Sequence, residues 1–144
     1  MGSNISKPLV LLVEDSEDDA FFFKRTLQKS GANCFLRHVL DGAAAIGVLK
    51  QASISDALEF PLAMFLDLKM PVMNGFEVLA WLRAQSFPAS MKVFVLSGSN
   101  QQEDKERALR LGAAEYLVKP VRVRDFRRLL AEVCPAAAET GAGA

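Results

Sequence analysis

Histidine is almost absent from this chain of 144 residues; His38 is the only one. A Ser-His-Asp triad or an imidazole-based metal site therefore has no support, and His38 reads as structural or surface. Cysteine is nearly as scarce. Cys34 and Cys134 lack CxxC or metal-ligand spacing, so they read as idle thiols in a reducing cytosol. Excess charge is missing too, since 17 Lys and Arg balance 17 Asp and Glu. That balance argues against nonspecific nucleic-acid binding and leaves a local charged site open.

No apolar run approaches the ~20 residues that cross a bilayer, and the N-terminus lacks a signal-peptide core. Met1-Gly2-Ser3-Asn4-Ile5-Ser6 fits the loose N-myristoylation pattern. Nothing else supports lipidation, and a short polar leader over residues 1–7 accounts for it equally well. The expectation is a cytoplasmic protein with no membrane association. About half the residues are apolar (51%), enough for one domain of this size to bury a substantial core. That domain is expected over residues 8–134, with a disordered small-residue tail at 135–144.

Apolar bursts and amphipathic stretches alternate five times. Pro8 to Val13 reads as a buried strand running into Glu14-Asp15. Ser16 and Asp19 have capping-box-like spacing at the start of a helix. Phe22, Phe23 and Leu27 supply its apolar stripe, and Gly31 stops it. Cys34–Val39 is a second strand, and Asp41-Gly42 leads into an Ala-rich helix ending near Lys50. A loop from Gln51 to Glu59 precedes a third strand, Leu62–Leu66, ending at Asp67. Asn74 caps a third helix. Met91–Leu96 is a fourth strand ending at Ser97, and Ser99 and Asn100 cap a helix closed by Gly112. Tyr116–Val118 is a short fifth strand ending at Lys119-Pro120, and a last helix runs from about Val121 to Val133. Strands apolar throughout, separated by helices, imply an α/β fold with a parallel sheet covered on both faces. Right-handed crossovers make it doubly wound, and its binding crevice lies beyond the carboxyl ends of the strands.

Those ends are where the chemistry gathers. Strand one delivers Glu14 and Asp15, strand three Asp67, strand four Ser97 and strand five Lys119. Three converging carboxylates repel one another unless a cation lies between them. A small, hard, oxygen-only site that keeps waters suits Mg2+, which commonly pairs with substrate phosphate. Lys119 adds an ammonium and Ser97 a hydroxyl, so the set forms a clamp for phosphoryl oxygens. A carboxylate can serve as nucleophile through an aspartyl-phosphate, and Asp67, in the middle of the cluster, is best placed.

The ordered set Leu11-Leu12-Val13-Glu14-Asp15-Ser16, Leu66-Asp67-Leu68-Lys69-Met70-Pro71 with Asn74-Gly75, Leu96-Ser97-Gly98-Ser99 and Tyr116-Leu117-Val118-Lys119-Pro120 resembles the response-regulator receiver family. The resemblance spans about residues 8–133, and its spacings resemble those of the chemotaxis regulator. It implies a five-stranded parallel sheet in the flavodoxin-like order 2-1-3-4-5, with helices on both faces. It also implies that Asp67 accepts a phosphoryl group from a histidine kinase. Glu14, Asp15, Asp67 and the backbone carbonyl of Lys69 would hold Mg2+. Lys119 would pair with the phosphoryl group, and Ser97 and Tyr116 would form the switch. The Lys119-Pro120 bond resembles one that is cis in the family. The Glu-Asp-Ser start, the long loop before strand three and Ser-Gly-Ser-Asn after strand four are similar to small receivers that partner phytochrome-type kinases. The function implied is a stand-alone response regulator that passes its signal to an unnamed downstream protein. It would not be an enzyme in the ordinary sense, although it would catalyse its own Mg2+-dependent phosphorylation and dephosphorylation.

Other readings are weaker. A haloacid-dehalogenase-like phosphatase needs a carboxyl two residues after its nucleophile, where this chain has Lys69. A flavin carrier would need a phosphate loop where this chain has Glu14-Asp15-Ser16-Glu17-Asp18-Asp19, which repels phosphate. A receiver-like scaffold that is no longer phosphorylated remains the main competitor. Glu17, Asp18 and Asp19 read as cap and surface charge facing the helix dipole rather than as ligands. Trp81 and most of the ten phenylalanines read as core. Arg122, Arg124, Arg127 and Arg128 read equally well as a solvated face near Asp125 or as part of a homodimer or partner surface on helix four, strand five and helix five. No DNA-reading helix-turn-helix follows, so nucleic acid is not expected as a partner.

Overall fold

The computed structural model describes residues 7–54, 60–85 and 91–133. Ten elements alternate along the chain: β1 (Leu9–Val13), α1 (Glu17–Ser30), β2 (Phe35–Val39), α2 (Gly42–Ile54) and β3 (Ala63–Asp67), then α3 (Gly75–Arg83), β4 (Lys92–Ser97), α4 (Gln102–Arg110), β5 (Glu115–Val118) and α5 (Val123–Val133). All strand pairs are parallel, and the sheet order is β2-β1-β3-β4-β5. This is the doubly wound, flavodoxin-like arrangement expected from the sequence.

Strand periodicity explains why the central strands are apolar at every position. Alternate side chains point to opposite faces, so Val10 and Leu12 join one core cluster while Leu11 and Val13 join the other. The first cluster lies beneath α1 and α5 and is rich in phenylalanine. Phe23, Phe65 and Phe126 meet edge to face there, with ring centroids 4.9–5.6 Å apart. The second lies beneath α2, α3 and α4, where Leu49, Val78, Leu79 and Ala108 pack on Met64, Leu66, Val93 and Val95. Both faces are dry, so neither could carry a polar residue without a partner.

Helix ends follow local rules with a few departures. Ser16 caps α1 by accepting the Asp19 N–H at 3.2 Å, and Gly31 ends that helix in the left-handed region at φ 78°. Asn74 and Glu77 form a reciprocal capping box on α3. Helix α2 runs four residues past Lys50 into the stretch read as loop; Gln51 to Ile54 have no breaker, so the helix simply propagates. At α4 the N-cap is Gln101, whose side chain makes no capping bond, and the Ser99 hydroxyl accepts the Gln101 N–H instead. Phe22 is a second departure. It is 58% exposed, as is its neighbour Phe21 at 60%, because Ala20, Phe23 and Leu27 form the buried stripe of α1. Phe35 is exposed as well, Trp81 is only partly buried, and the fully packed phenylalanines are Phe65, Phe94 and Phe126. The expected tail at 135–144, the leader through residue 6 and Cys134 lie outside the described residues.

The sheet's carboxyl edge is tied tightly to α3. The Gly75 N–H donates to the Leu68 carbonyl at 2.9 Å, and a Cβ at Gly75 would sit 2.7 Å from the Asp67 carbonyl oxygen and 2.8 Å from the Leu68 Cα. Both are backbone atoms that cannot swing aside. Gly75→Ala should therefore destabilise the protein by roughly 2 kcal/mol, measured by urea unfolding. An unchanged midpoint would show that this close approach is not needed.

Candidate functional site

The strand registers bring four strand ends to one edge. Val13 pairs with Leu66, Asp67 with Leu96, and Ser97 with Val118. Beyond them lies the crevice where strand order reverses between β1 and β3, the general ligand position of such sheets.

Glu14 and Asp67 are buried at that edge, with 1% and 4% of their surface exposed, while Asp15 is exposed. One oxygen from each of these three carboxylates falls within a group spanning no more than 4.8 Å. Glu14 is held from several sides. Its N–H donates to the Val39 carbonyl, its Oε2 accepts the Ser16 N–H at 3.1 Å, and its Oε1 accepts from Lys119 Nζ at 2.7 Å. His38 belongs to this support, with its Nε2 2.8 Å from the Glu14 carbonyl oxygen.

Lys119 Nζ also lies 2.8 Å from Asp19 Oδ2 and 3.5 Å from Asp67 Oδ1. Asp19 is thus a member of the site that reading the sequence placed on the surface. Its position in the first turn of α1 has an adequate local explanation, and nothing nearby in the sequence announces a contact to residue 119. Phe22, three residues further along α1, lines a recess of about 90 Å3 beside Lys119, together with Thr26, Pro120 and Val121. Lys119-Pro120 is a cis peptide.

The electrostatics follow from crowding. Burial pushes the Asp67 carboxyl up, and the charge of Glu14 and a hydrogen bond with it push further. Lys119 and the Lys69 N–H, 3.3 Å from Asp67 Oδ1, pull the other way, and the balance lies at about 7. For Lys119 burial alone would lower the pKa. Hydrogen bonds to Asp19 and Glu14 and the charges of Asp67 and Glu14 outweigh it and hold the ammonium above the ordinary lysine range. Three oxygen donors with this much repulsion, and no sulfur or nitrogen ligand among them, fit a hard divalent cation.

Ser97 is fully buried, and its hydroxyl oxygen accepts the Ser99 N–H at 3.0 Å. Tyr116 is buried with its hydroxyl donating to the Ser99 carbonyl at 2.7 Å. Both candidate switch residues are therefore attached to the same loop between β4 and α4. Across the site, the loop after β3 turns through Val72, a fully exposed β-branched residue at φ 67°. Such a conformation costs on the order of 1–2 kcal/mol.

A family model described as the response regulator receiver domain matches residues 10–131. The chain belongs to this family. It is 30% identical over 122 residues to the response regulator Rcp1 of Synechocystis, covering 85% of this chain and 83% of that protein. The probable methanogenesis regulatory protein FilR2 of Methanothrix harundinacea is 29% identical, with coverage of 87% and 80%. The receiver also spans 47% of the transcriptional regulatory protein PrrA of Mycobacterium leprae, at 36% identity. Among solved structures it is similar to the bacteriophytochrome response regulator RtBRR, at 30% identity and a TM-score of 0.74, covering 90% of this chain and 79% of that one. A Mn2+-bound form of Rcp1 gives a TM-score of 0.69 at 28% identity, with coverage of 88% and 91%. Receivers of this kind act in two-component signalling. Among the described residues of this one, no helix is long and apolar enough to cross a membrane.

The raised pKa of Asp67 gives this receiver a testable pH signature. The folded state holds the Asp67 proton more tightly than the unfolded chain, so this contribution to stability is complete below about 3.8 and is lost as pH rises through about 7. Asparagine cannot ionise. In metal-free buffer at pH 8, Asp67→Asn should therefore be more stable than the wild type by on the order of 2 kcal/mol, with much of that gain gone at pH 5. Equal gains at both pH values, read by thermal unfolding, would rule out ionisation of Asp67 as the cause.

Proposed function

We propose that this receiver accepts a phosphoryl group on Asp67 from a histidine kinase and signals as a stand-alone response regulator. The observation that carries the reading is the joint placement of Glu14, Asp15 and Asp67 around one point, with Lys119 Nζ 3.5 Å from Asp67.

Asp67 is the nucleophile. One of its carboxylate oxygens attacks the phosphorus of a kinase phosphohistidine in line; the new O–P bond forms as the P–N bond breaks, and the imidazole leaves with the bonding pair. Glu14, Asp15, Asp67 and the Lys69 backbone carbonyl would hold magnesium, which when bound would supply positive charge to offset the phosphoryl oxygens. Lys119 contributes the second positive charge. Its ammonium is engaged by Glu14 and Asp19 in the resting protein, so pairing with the phosphoryl group means exchanging these partners. Dephosphorylation reuses the same residues with water as acceptor, making the protein a catalyst of its own turnover rather than an enzyme acting on others.

The readout runs through Ser97 and Tyr116. A phosphoryl group adds acceptor oxygens that the Ser97 hydroxyl can donate to. Such a move gives up the Ser99 N–H, and Ser99 also carries the carbonyl that holds Tyr116. Loosening that loop shifts the face formed by α4, β5 and α5, through which the receiver reaches a downstream protein or a second copy of itself. On that face Arg128 makes a bidentate pair with Glu115, at 2.6 and 2.9 Å, and the Asp125 carboxylate accepts the Arg122 N–H. Arg128 is accordingly the least available of the four arginines for a partner. The likeness to bacteriophytochrome response regulators supports a phytochrome-type kinase as donor, and a cytoplasmic setting goes with that role.

Incubation with acetyl phosphate and magnesium, followed by intact-mass measurement, should give one phosphoryl adduct that requires the metal and disappears in Asp67→Asn. If no adduct forms while magnesium binding is demonstrated and hydrolysis is slow, the protein is a receiver-like scaffold. Ser97→Ala should still accept the phosphoryl group yet fail to change the environment of Tyr116, followed by its NMR signals. A Tyr116 response that survives in this variant would remove Ser97 from the switch.

A further inference from the structure

On the side of the molecule served by the second core cluster, α3 and α4 border an open cleft of about 370 Å3. Arg83 from α3 and Arg107 and Arg110 from α4 all line it. In a chain of zero net charge, three arginines lining one cleft are a marked local concentration. Among the described residues none of the three lies within ion-pair distance of a carboxylate; those pairs involve Lys119 and Arg128 alone. Partners were within reach, because Glu103 and Glu106 stand four residues before Arg107 and Arg110 on the same helix, the spacing that favours helical ion pairs. Instead the Arg107 guanidinium lies over the Phe76 ring, 4.1 Å from its centroid, and Glu106 accepts from Gln102. Arg83 Nη1 donates to the Arg110 carbonyl at the end of α4. Two of the three cations are thus oriented by an aromatic face and a backbone carbonyl rather than by a carboxylate. One carboxylate, Glu77, also lines the cleft, and its Oε1 accepts the Asn74 N–H in the α3 capping box.

We propose that this cleft binds a small phosphate-bearing molecule through Arg83, Arg107 and Arg110. Planar guanidinium groups present paired N–H donors that match phosphate oxygens. The volume is in the range of small-ligand sites, and Ala80 and Leu111 give the cleft apolar wall beside the Phe76 ring. Arginine stacked on an aromatic face keeps its charge and its in-plane donors, so Arg107 is pre-oriented for an anion. None of these residues belongs to the Asp67 site, and the inference stands independently of phosphoryl transfer.

The test is an NMR titration of the full chain in chelator-containing buffer, with ADP and pyrophosphate as probes and adenosine as the uncharged control. Saturable shifts of the Ala80, Arg83, Arg110 and Leu111 amides are expected with ADP and with pyrophosphate, which compete with each other, and are absent with adenosine. Arg107→Gln combined with Arg110→Gln should weaken ADP binding by at least about tenfold. Arg122→Gln combined with Arg124→Gln removes the same charge elsewhere and should leave affinity unchanged. Both pairs are exposed, and unfolding midpoints confirm that the fold is retained. The proposal is overturned if binding does not saturate below about 10 mM, or if shifts are confined to residues around Asp67. It is also overturned if both double variants bind alike, or if a polyglutamate peptide displaces ADP at lower concentration than pyrophosphate does, which would make the cleft a contact for an acidic protein.

Discussion

Glu14 and Asp67 are withdrawn from water into one crevice, and Lys119 carries the compensating charge that reaches both of them. Burial of two like charges is costly without such a partner. The ammonium of Lys119 offsets part of that cost, and Asp19 fixes it from the solvent side. The remainder is carried by Asp67, whose proton is held to about neutral pH. Repulsion of this kind is a site's readiness for a cation, because only an added positive charge relieves it without moving the backbone.

The backbone is not free to move. Asp67 is the last residue of the central strand, flanked by β1 and β4, with Gly75 packed against its carbonyl. Glu14 is anchored to β2 through Val39 and His38. The loop after β4, by contrast, is tied through two side-chain hydrogen bonds that link Ser97, Ser99 and Tyr116. On the proposed function, a bond made at Asp67 would be felt through these two hydrogen bonds rather than through the strands.

Most of the sheet and the strand-end residues were legible in the sequence because both depend on short-range pattern. A strand dry on both faces is apolar at every position, and a polar residue at its end is conspicuous. Asp19 was not legible, since its ion pair spans 100 residues and a first-turn carboxylate has a sufficient local role. Phe22 misled for a related reason. A phenylalanine next to a buried one suggests a wider stripe, yet the 100° step between neighbours turns it away from the sheet. The end of α2 and the cap of α4 lie a few residues from where residue preference puts them, because helix propagation and loop hydrogen bonds outweigh it there. The bidentate Arg128–Glu115 pair, joining β5 to α5, had no sequence signature either.

Trp81, the single indole of the chain, stands near the carboxyl end of α3 with Lys50 above its ring at 5.9 Å. The helix begins at Gly75 beside the acidic crevice, so the indole is about 9 Å further along the helix axis. Leu66 and Leu68, neither of them aromatic, flank Asp67 in the chain. Intrinsic fluorescence of this protein is therefore a gauge of the seam between α2 and α3. It is blind to direct quenching at the crevice, and the sole tyrosine, Tyr116, is the optical probe attached to the loop after β4.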